Sequence, residues 1–367
     1  MSARAVALIP GFLGFDHRRG TTYFADRFVT GLRTRLEQKC GAPFPVVPVS
    51  TRPVGSLAQR QKSLLADLAV LDLKLDYPEW HLLGHSTGGV DAALLARTCR
   101  LERGPQGSVF SKDSLHVQRL ASVTTVSAPH YGSGLALSPL GMLVRGRLTL
   151  DGLLQAAKLG KAALQRDDLR SRLMFVLPSA LHSSQFYLNF FDNALATDLD
   201  PKVVGALTRT DNRRADVPIT SFATFVPPPH ARIPDPLFTL FWRATHDGGI
   251  ERNAVAAPEF PSFSAKIVSA SSDLPEVDAG SNDAIVNTER QVDEGGSFGG
   301  LIVGDHADVL GRYRRADLLD GEPLDPGLLT SGANFDDDQF FVVLDRIAES
   351  IARCCNRAAT SALHAAE

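Results

Sequence analysis

Short apolar runs alternate with amphipathic stretches along this chain, and no other feature constrains its fold as tightly. Ala5 to Ile9 reads as a buried strand ended by the turn Pro10-Gly11. Thr22 to Lys39 carries Phe24, Phe28, Leu32 and Leu36 at every fourth position, which predicts an amphipathic helix. Phe44 to Val49 is a second strand, assigned to a sheet edge because Pro45 and Pro48 cannot donate to a ladder. A helix over Ser56 to Leu71 follows, with Leu57, Leu64, Leu65 and Leu68 on one side, then a strand over Trp80 to Leu83 and a helix over Gly88 to Thr98. Further strands are expected at Leu120 to Val126, Ile219 to Val226 and Lys266 to Val268. A helix over Phe335 to Cys354 closes the chain with Phe340, Phe341, Leu344, Ile347 and Ile351. The alternation predicts a doubly wound α/β architecture, a mostly parallel sheet with helices on both faces.

Two segments interrupt the rhythm and divide the chain. Residues 1–133 form the first part of the expected core and 217–367 the second, with a helical insertion over 134–216 between them. In that insertion Leu150, Leu153, Leu154, Ala157 and Leu164 share one helical face, and Phe186, Tyr187, Phe190 and Phe191 form another apolar stripe. Such stripes fit a packed helical subdomain, or a cap whose apolar side covers a cleft and swings away. The second interruption, about 245–280, is rich in Asp, Ser, Ala and Pro and is expected to be irregular surface. A shorter loop is expected over Arg100 to His116.

Charge and cysteine content remove several function classes. Of the 367 residues, 38 are Lys or Arg against 41 Asp or Glu, so no global basic field recruits nucleic acid or an anionic membrane. Cys40, Cys99, Cys354 and Cys355 show neither a CxxC pair nor zinc-ligand spacing, and read as free thiols of a reducing compartment. No uninterrupted apolar stretch approaches 18 residues, the length that would suggest a membrane span. The first residues enter the strand at Val6 without a signal-like apolar region, which points to the cytoplasm unless a leader has been removed.

The chemistry concentrates at Gly84-His85-Ser86-Thr87-Gly88, which fits G-x-S-x-G. The pentapeptide is common by chance, but here it follows an apolar strand and opens a helix, the setting a nucleophile elbow needs. The glycines have a mechanical reason, because side chains two positions either side of so sharp a turn would collide. Ser86 is therefore the candidate nucleophile. An attacking serine creates an oxyanion, which calls for backbone N–H donors. The amide of Thr87 is one candidate, and the amide of Phe12, in the loop Pro10-Gly11-Phe12-Leu13-Gly14 after the first strand, is the other.

The base must be a histidine downstream of the serine in this fold type. His306, in Gly304-Asp305-His306-Ala307-Asp308, follows the apolar run Leu301-Ile302-Val303 and fits best; His246, His230 and His182 compete. His85 adjoins the serine but should point elsewhere, and His130 reads as structural. For the acid that orients the imidazole, Asp283 in Asn282-Asp283-Ala284-Ile285-Val286 fits best, with Asp278 and Asp273 as competitors.

With these residues in place, the chain resembles the bacterial true lipases (triacylglycerol lipases) of the α/β-hydrolase superfamily. Pro10-Gly11-Phe12-Leu13-Gly14 is similar to the family's oxyanion loop, with Pro10 where a histidine is usual. Gly84 to Gly89 resembles its serine box. Val126-Ser127-Ala128-Pro129-His130-Tyr131-Gly132-Ser133 resembles the stretch before its helical lid, Asn282 to Val286 its acid loop, and Asp305 to Asp308 its histidine loop. The blocks cover few residues but keep the family's order across nearly the whole chain. The resemblance implies a carboxylic-ester hydrolase of the lipase/esterase type, with a small-molecule or lipid ester as substrate and transient contact with a lipid interface. It implies no cofactor for the chemistry, and a structural Ca²⁺ held by Asp308 and Asp235, since hard carboxylates suit that ion. The chain departs from the family in showing no signal-like apolar region before Val6 and no spacing for the usual disulfide, and in carrying the added segment at 245–280. A thioesterase, acyltransferase or polyester depolymerase would use the same triad, and a silent hydrolase fold serving as a binding module is the alternative outside enzymes.

Overall fold

Parallel pairing runs through the whole sheet of the computed structural model, which describes residues 3–12, 23–52, 55–76, 78–97, 119–137, 198–208, 216–227, 236–250, 277–311, 313 and 335–364. Strands β1 (Arg4–Ile9), β2 (Val46–Pro48), β3 (Glu79–His85), β4 (Leu120–Val126), β5 (Ile219–Phe225) and β6 (Ser297–Val303) lie in the order β2-β1-β3-β4-β5-β6. Every neighbouring pair is parallel. A sheet of this kind needs both faces covered, and the side-chain period of two supplies both from one strand. Val6 and Leu8 point to one face; Ala5, Ala7 and Ile9 point to the other.

Two helices close the first face. Helix α1 (Asp26–Cys40) contributes Phe28, Leu32 and Leu36, and the C-terminal helix α6 (Asp337–His364) contributes Phe340, Leu344, Ile347 and Ile351. They cross closely enough that Leu344 occupies the space a side chain on Gly31 would need. The opposite face is covered by α2 (Leu57–Lys74), through Leu64 and Leu68, and by α3 (Thr87–Leu95), through Ala92 and Ala93. Ser56 starts α2 with a capping box: its hydroxyl accepts from the Gln59 amide while the Gln59 side chain accepts from the Ser56 amide. Helices α4 (Pro201–Thr208) and α5 (Pro236–Ile250) flank β5 in sequence.

The edge strand expected from its prolines is present. β2 has three residues and a single neighbour, as Pro45 and Pro48 require. Helix α1 begins at Asp26, later than Thr22, and ends at Gly41 in the left-handed region. One expectation is corrected. The irregular excursion placed from Thr245 begins instead inside α5, which runs to Ile250. Phe238, Trp242 and Thr245 fall on one helical face and are buried, and the Thr245 hydroxyl donates to the Ala284 carbonyl at 2.8 Å. The polar end His246-Asp247-Gly248-Gly249 obscures that periodicity. The strand expected at Lys266 to Val268, the loop over Arg100 to His116 and the apolar stripes of the 134–216 insertion lie outside the described residues, except for a short 3₁₀ turn at Gly134–Leu137 and α4. Cys40, Cys354 and Cys355 are free thiols, and Cys99 also lies outside. Among the described residues no helix is long and apolar enough to cross a membrane.

The packing of α6 makes a stability prediction. Leu344→Ala, at a side chain that is wholly buried, should cost about 2–5 kcal/mol in urea unfolding. Leu73→Ala, on the exposed side of α2, should stay within about 0.5 kcal/mol of the parent. Equal losses would contradict the assignment of α6 to the core.

Candidate active site

The strand order reverses between β1 and β3. From β1 the chain moves outward to β2, whereas from β3 it moves across to β4. In open α/β sheets such a reversal is where a crevice forms at the carboxyl ends of the strands. The last register pair across it is Ile9 with Gly84. Beyond that pair come Pro10-Gly11-Phe12 on one side and Ser86 on the other.

Ser86 sits in a strained turn, with φ 56° and ψ −132°. A non-glycine residue there costs on the order of 1–3 kcal/mol and persists only when its surroundings hold it. Two bonds do so: its amide donates to the Val126 carbonyl, and its carbonyl accepts from the Gly89 amide, both at 2.9 Å. The flanking glycines are required by space. A Cβ on Gly84 would lie 2.2 Å from the Gly88 carbonyl oxygen, and one on Gly88 would lie 2.2 Å from that of Ile9. Thr87 opens α3, so its amide is among the first four of the helix, which have no intrahelical acceptor.

The loop after β1 presses on the serine. A Cβ on Gly11 would stand 2.6 Å from Ser86 Cβ and 2.5 Å from the Tyr23 hydroxyl, so only glycine lets the backbone approach this closely. Phe12, the next residue, packs against Leu57, Val90 and Leu94. Arg60 of α2 anchors the loop, a role that sequence reasoning missed. Its side chain is fully buried; Nη2 donates to the Pro10 carbonyl at 2.7 Å, Nη1 to that of Arg52 at 2.9 Å, and Nε to Asp91 Oδ2 at 2.8 Å. Asp91 lies on α3, so one guanidinium ties the loop to the helix that begins after Ser86. Burial pushes the Asp91 carboxyl up, and the Arg60 charge opposes that shift. A signal exists in the sequence: Arg60 and Gln61 stand three and four residues after Leu57, on the apolar face of α2.

Asp283 and His306 meet directly. Asp283 Oδ2 is 2.8 Å from His306 Nδ1, and the His306 amide donates to the Asp283 carbonyl at 3.1 Å. The carboxylate is fully buried, and its loop is hung on the end of β5, where the Val226 amide donates to the Asn282 carbonyl at 3.0 Å. Its Oδ1 accepts the amides of Ile285 at 3.0 Å and Val286 at 2.8 Å, while Oδ2 also accepts the Thr224 hydroxyl at 2.5 Å and the Gln291 amide group at 3.3 Å. Thr224 and Gln291 are not legible in sequence, since each reaches the acid from a different element. His306 leaves the end of β6 on a reciprocal turn: Asp305 Oδ1 accepts the amides of Ala307 and Asp308, and Asp308 Oδ2 accepts the Asp305 amide at 2.7 Å.

Among the other candidates, His246 stacks on Trp242 with ring centroids 4.9 Å apart, and Asp278 caps the turn at Ser281. His182, His230 and Asp273 lie outside the described residues. His85 points away from the serine, as expected. Its ring turns toward His306, with centroids 4.7 Å apart, and Nε2 lies 2.8 Å from the His306 carbonyl oxygen. His130 is buried beside Thr125 and Asp293, and burial lowers it to about 4.

For calcium, Asp235 lies outside the described residues. Asp308 is turned inward onto its own loop, where burial first and the Asp305 carboxylate second push its carboxyl well up. Ca²⁺ takes six to eight oxygens, and among the described residues no group of three or more His, Cys, Asp or Glu could hold a metal. No step below passes through the ion.

No known family profile matches the chain, and no curated protein matches it in sequence. Solved structures resemble it. Lipase 1 from Pelosinus fermentans has 18% identity and a TM-score of 0.49 over 96% of this chain and 99% of its own. The Staphylococcus hyicus lipase has 14% identity and a TM-score of 0.49, covering 96% of each chain. A metagenomic carboxyl esterase has 14% identity and a TM-score of 0.49 over 96% of this chain and 76% of its own. Likeness at this level carries nothing about activity. The sheet order, the turn at Ser86 and the two loops at the ends of β5 and β6 stand on the chain's own geometry. The fold is an α/β-hydrolase fold.

Unfolding experiments test both the loop anchor and the buried histidines. Arg60→Met strands the buried Asp91 carboxylate and should cost about 3–5 kcal/mol in urea unfolding; a loss below about 1 kcal/mol would mean that Arg60 does not brace this region. The second test is pH. Burial lowers His81 to about 3 and His130 to about 4, whereas the unfolded chain titrates near 6.5. Below that value the unfolded state binds more protons, so the stabilisation is complete above about pH 6.5 and is lost as pH falls toward 4 and 3. The unfolding free energy from urea titrations should be flat above about pH 7 and fall below about 6.5, before most carboxylates protonate, by about 2 kcal/mol per histidine at pH ~5, with the midpoints following. A midpoint that rises over that range would overturn the assignment.

Proposed function

We propose that this chain is a serine carboxylic-ester hydrolase of the lipase/esterase type, acting through an acyl-enzyme on Ser86. The reading is supported by the Asp283–His306 pair, 2.8 Å apart, and by the His306 ring lying 4.7 Å from that of His85, the residue before the strained Ser86 at the carboxyl end of β3.

In this reading His306 Nε2 takes the Ser86 hydroxyl proton as the oxygen attacks the ester carbonyl. Asp283 holds the imidazole by Nδ1 and stabilises the imidazolium as it forms. The carbonyl π electrons move onto oxygen, which the amides of Phe12 and Thr87 receive. Collapse of the tetrahedral species expels the alcohol, which takes the proton from His306 and leaves the acyl group on Ser86. Water then gives a proton to His306 as it attacks the acyl carbonyl, and collapse expels the Ser86 oxygen, which takes that proton back and releases the acid. The steps need no cofactor. An ester of a small molecule or a lipid is the substrate class.

The test is covalent. A fluorophosphonate should label the parent protein at one site, and Ser86→Ala should take no label. Ser86→Ala and His306→Ala should each lower ester turnover on the order of 10⁴–10⁶-fold, and Asp283→Asn on the order of 10⁴-fold. Equal labelling of the Ser86→Ala variant would end the assignment. A panel of p-nitrophenyl esters from acetate to palmitate, matched thioesters and a polyester film, with and without chelator, then assigns the acyl group and acceptor.

A further inference from the structure

His85 is a buried titratable group beside the proposed base that the reaction itself does not use. Its ring is held at both nitrogens. The Tyr23 hydroxyl lies 2.7 Å from Nδ1, and the His306 carbonyl oxygen lies 2.8 Å from Nε2. A carbonyl oxygen only accepts, so Nε2 carries a proton. Burial, and second the neighbouring His306, push His85 well below its ordinary value, so the ring is neutral and Nδ1 presents a lone pair. Tyr23 must therefore donate. The chain of donors runs in one direction, from the Tyr23 O–H to Nδ1 and from Nε2–H to the carbonyl of His306.

The backbone of His306 is thereby pinned on two sides. Its amide donates to the Asp283 carbonyl at 3.1 Å, and its carbonyl accepts from His85. The first contact fixes it to the acid loop. The second fixes it to the strand that ends at the nucleophile, because His85 and Ser86 share a peptide bond. The same tyrosine hydroxyl abuts Gly11, so the oxyanion loop, the nucleophile strand and the histidine loop meet on one phenol and one imidazole. Such pinning matters because a displacement of about 1 Å at a reacting group can cost on the order of a hundredfold in rate.

We propose that His85, oriented by Tyr23, is a positioning residue for catalysis: it sets the distance between Ser86 and the His306 imidazole by holding the main chain of His306. The inference rests on the reading of Ser86 and His306 as nucleophile and base. It adds a specific role to the residue before the serine, which the elbow pattern leaves undefined.

The experiment uses the full chain and four variants: His85→Leu, His85→Gln, Tyr23→Phe and the double Tyr23→Phe/His85→Leu. Two readouts are taken, kcat and KM on p-nitrophenyl butyrate and the low-field proton resonance of the His306 Nδ1–H bonded to Asp283. His85→Leu should lower kcat about 10–100-fold with KM within about twofold, and should shift or broaden the resonance. His85→Gln, whose side-chain amide can still donate to the His306 carbonyl, should recover most of the loss. Tyr23→Phe should give a smaller fall, and no further fall on top of His85→Leu, because it acts through that residue.

A folded His85→Leu with parental kcat and an unchanged resonance overturns the proposal, as do equal losses in His85→Leu and His85→Gln or a fully additive double variant. Should His85→Leu not fold, as judged by thermal unfolding, His85→Gln and Tyr23→Phe carry the decision. A measurably slower Tyr23→Phe beside a near-parental His85→Gln then supports the proposal, and any other pattern overturns it. The resonance reads the anchoring of His306 without substrate. A parent protein that neither turns over esters nor takes a phosphonate removes the proposed function and with it the catalytic role of His85, even where the resonance still reports that His85 anchors the main chain.

Discussion

A single backbone conformation organises this molecule: Ser86 at positive φ, held where β3 turns abruptly into α3. That turn is a cost of a few kcal/mol at most, and the rest of the core keeps it in place. The strand before it is buried between two parallel neighbours, and the helix after it lies against β1 and β4 with glycines at each point of closest approach. Relaxing the turn would withdraw α3 from the sheet. The strain is therefore over-determined, and Ser86 stays at the carboxyl end of β3.

The polar groups around that edge are buried to a degree that an apolar core would not tolerate without partners. Arg60 answers Asp91 and three main-chain carbonyls; Asp283 answers two backbone amides, a hydroxyl, a side-chain amide and an imidazole. Each of these networks joins elements far apart in sequence, and so each also fixes a loop. The loop after β1 is fixed by Arg60, the Asp283 loop by β5, and the His306 loop by its own Asp305–Asp308 turn. Loops of this kind would move freely on a sheet edge. Here their carbonyls and amides are committed, and the geometry that the proposed reaction needs can be held in advance of any substrate.

Much of the architecture is readable from periodicity. The run Ala5 to Ile9 is buried on both sides, and the spacing of Phe28, Leu32 and Leu36 marks the covered side of α1. The elbow is readable for the same reason, since strand, sharp turn and helix are consecutive and each leaves a local pattern. Helix α5 escapes such a reading because its polar, glycine-rich end masks the stripe from Phe238 to Thr245. Asp308, which the family resemblance offers as a metal ligand, turns its carboxylate back onto the Asp305 amide. A short-range turn and a ligand position leave the same trace in a sequence.

By itself, the sequence determined that this chain would build a parallel sheet with a serine raised at the end of its third strand, and it named the acid and the histidine that the fold brings within 2.8 Å of each other. Those are consequences of local pattern and of the order in which strands leave a sheet. Only the tertiary structure decided what surrounds them: that His85 turns toward the His306 carbonyl, that Arg60 reaches back to Pro10, and that Thr224 and Gln291 close around the acid. The reason is physical. Apolar burial is non-directional and repeats with the period of each element, so it prints itself along the chain. A buried hydrogen bond is directional and pairs single atoms across long separations, and no period records which partner it will find.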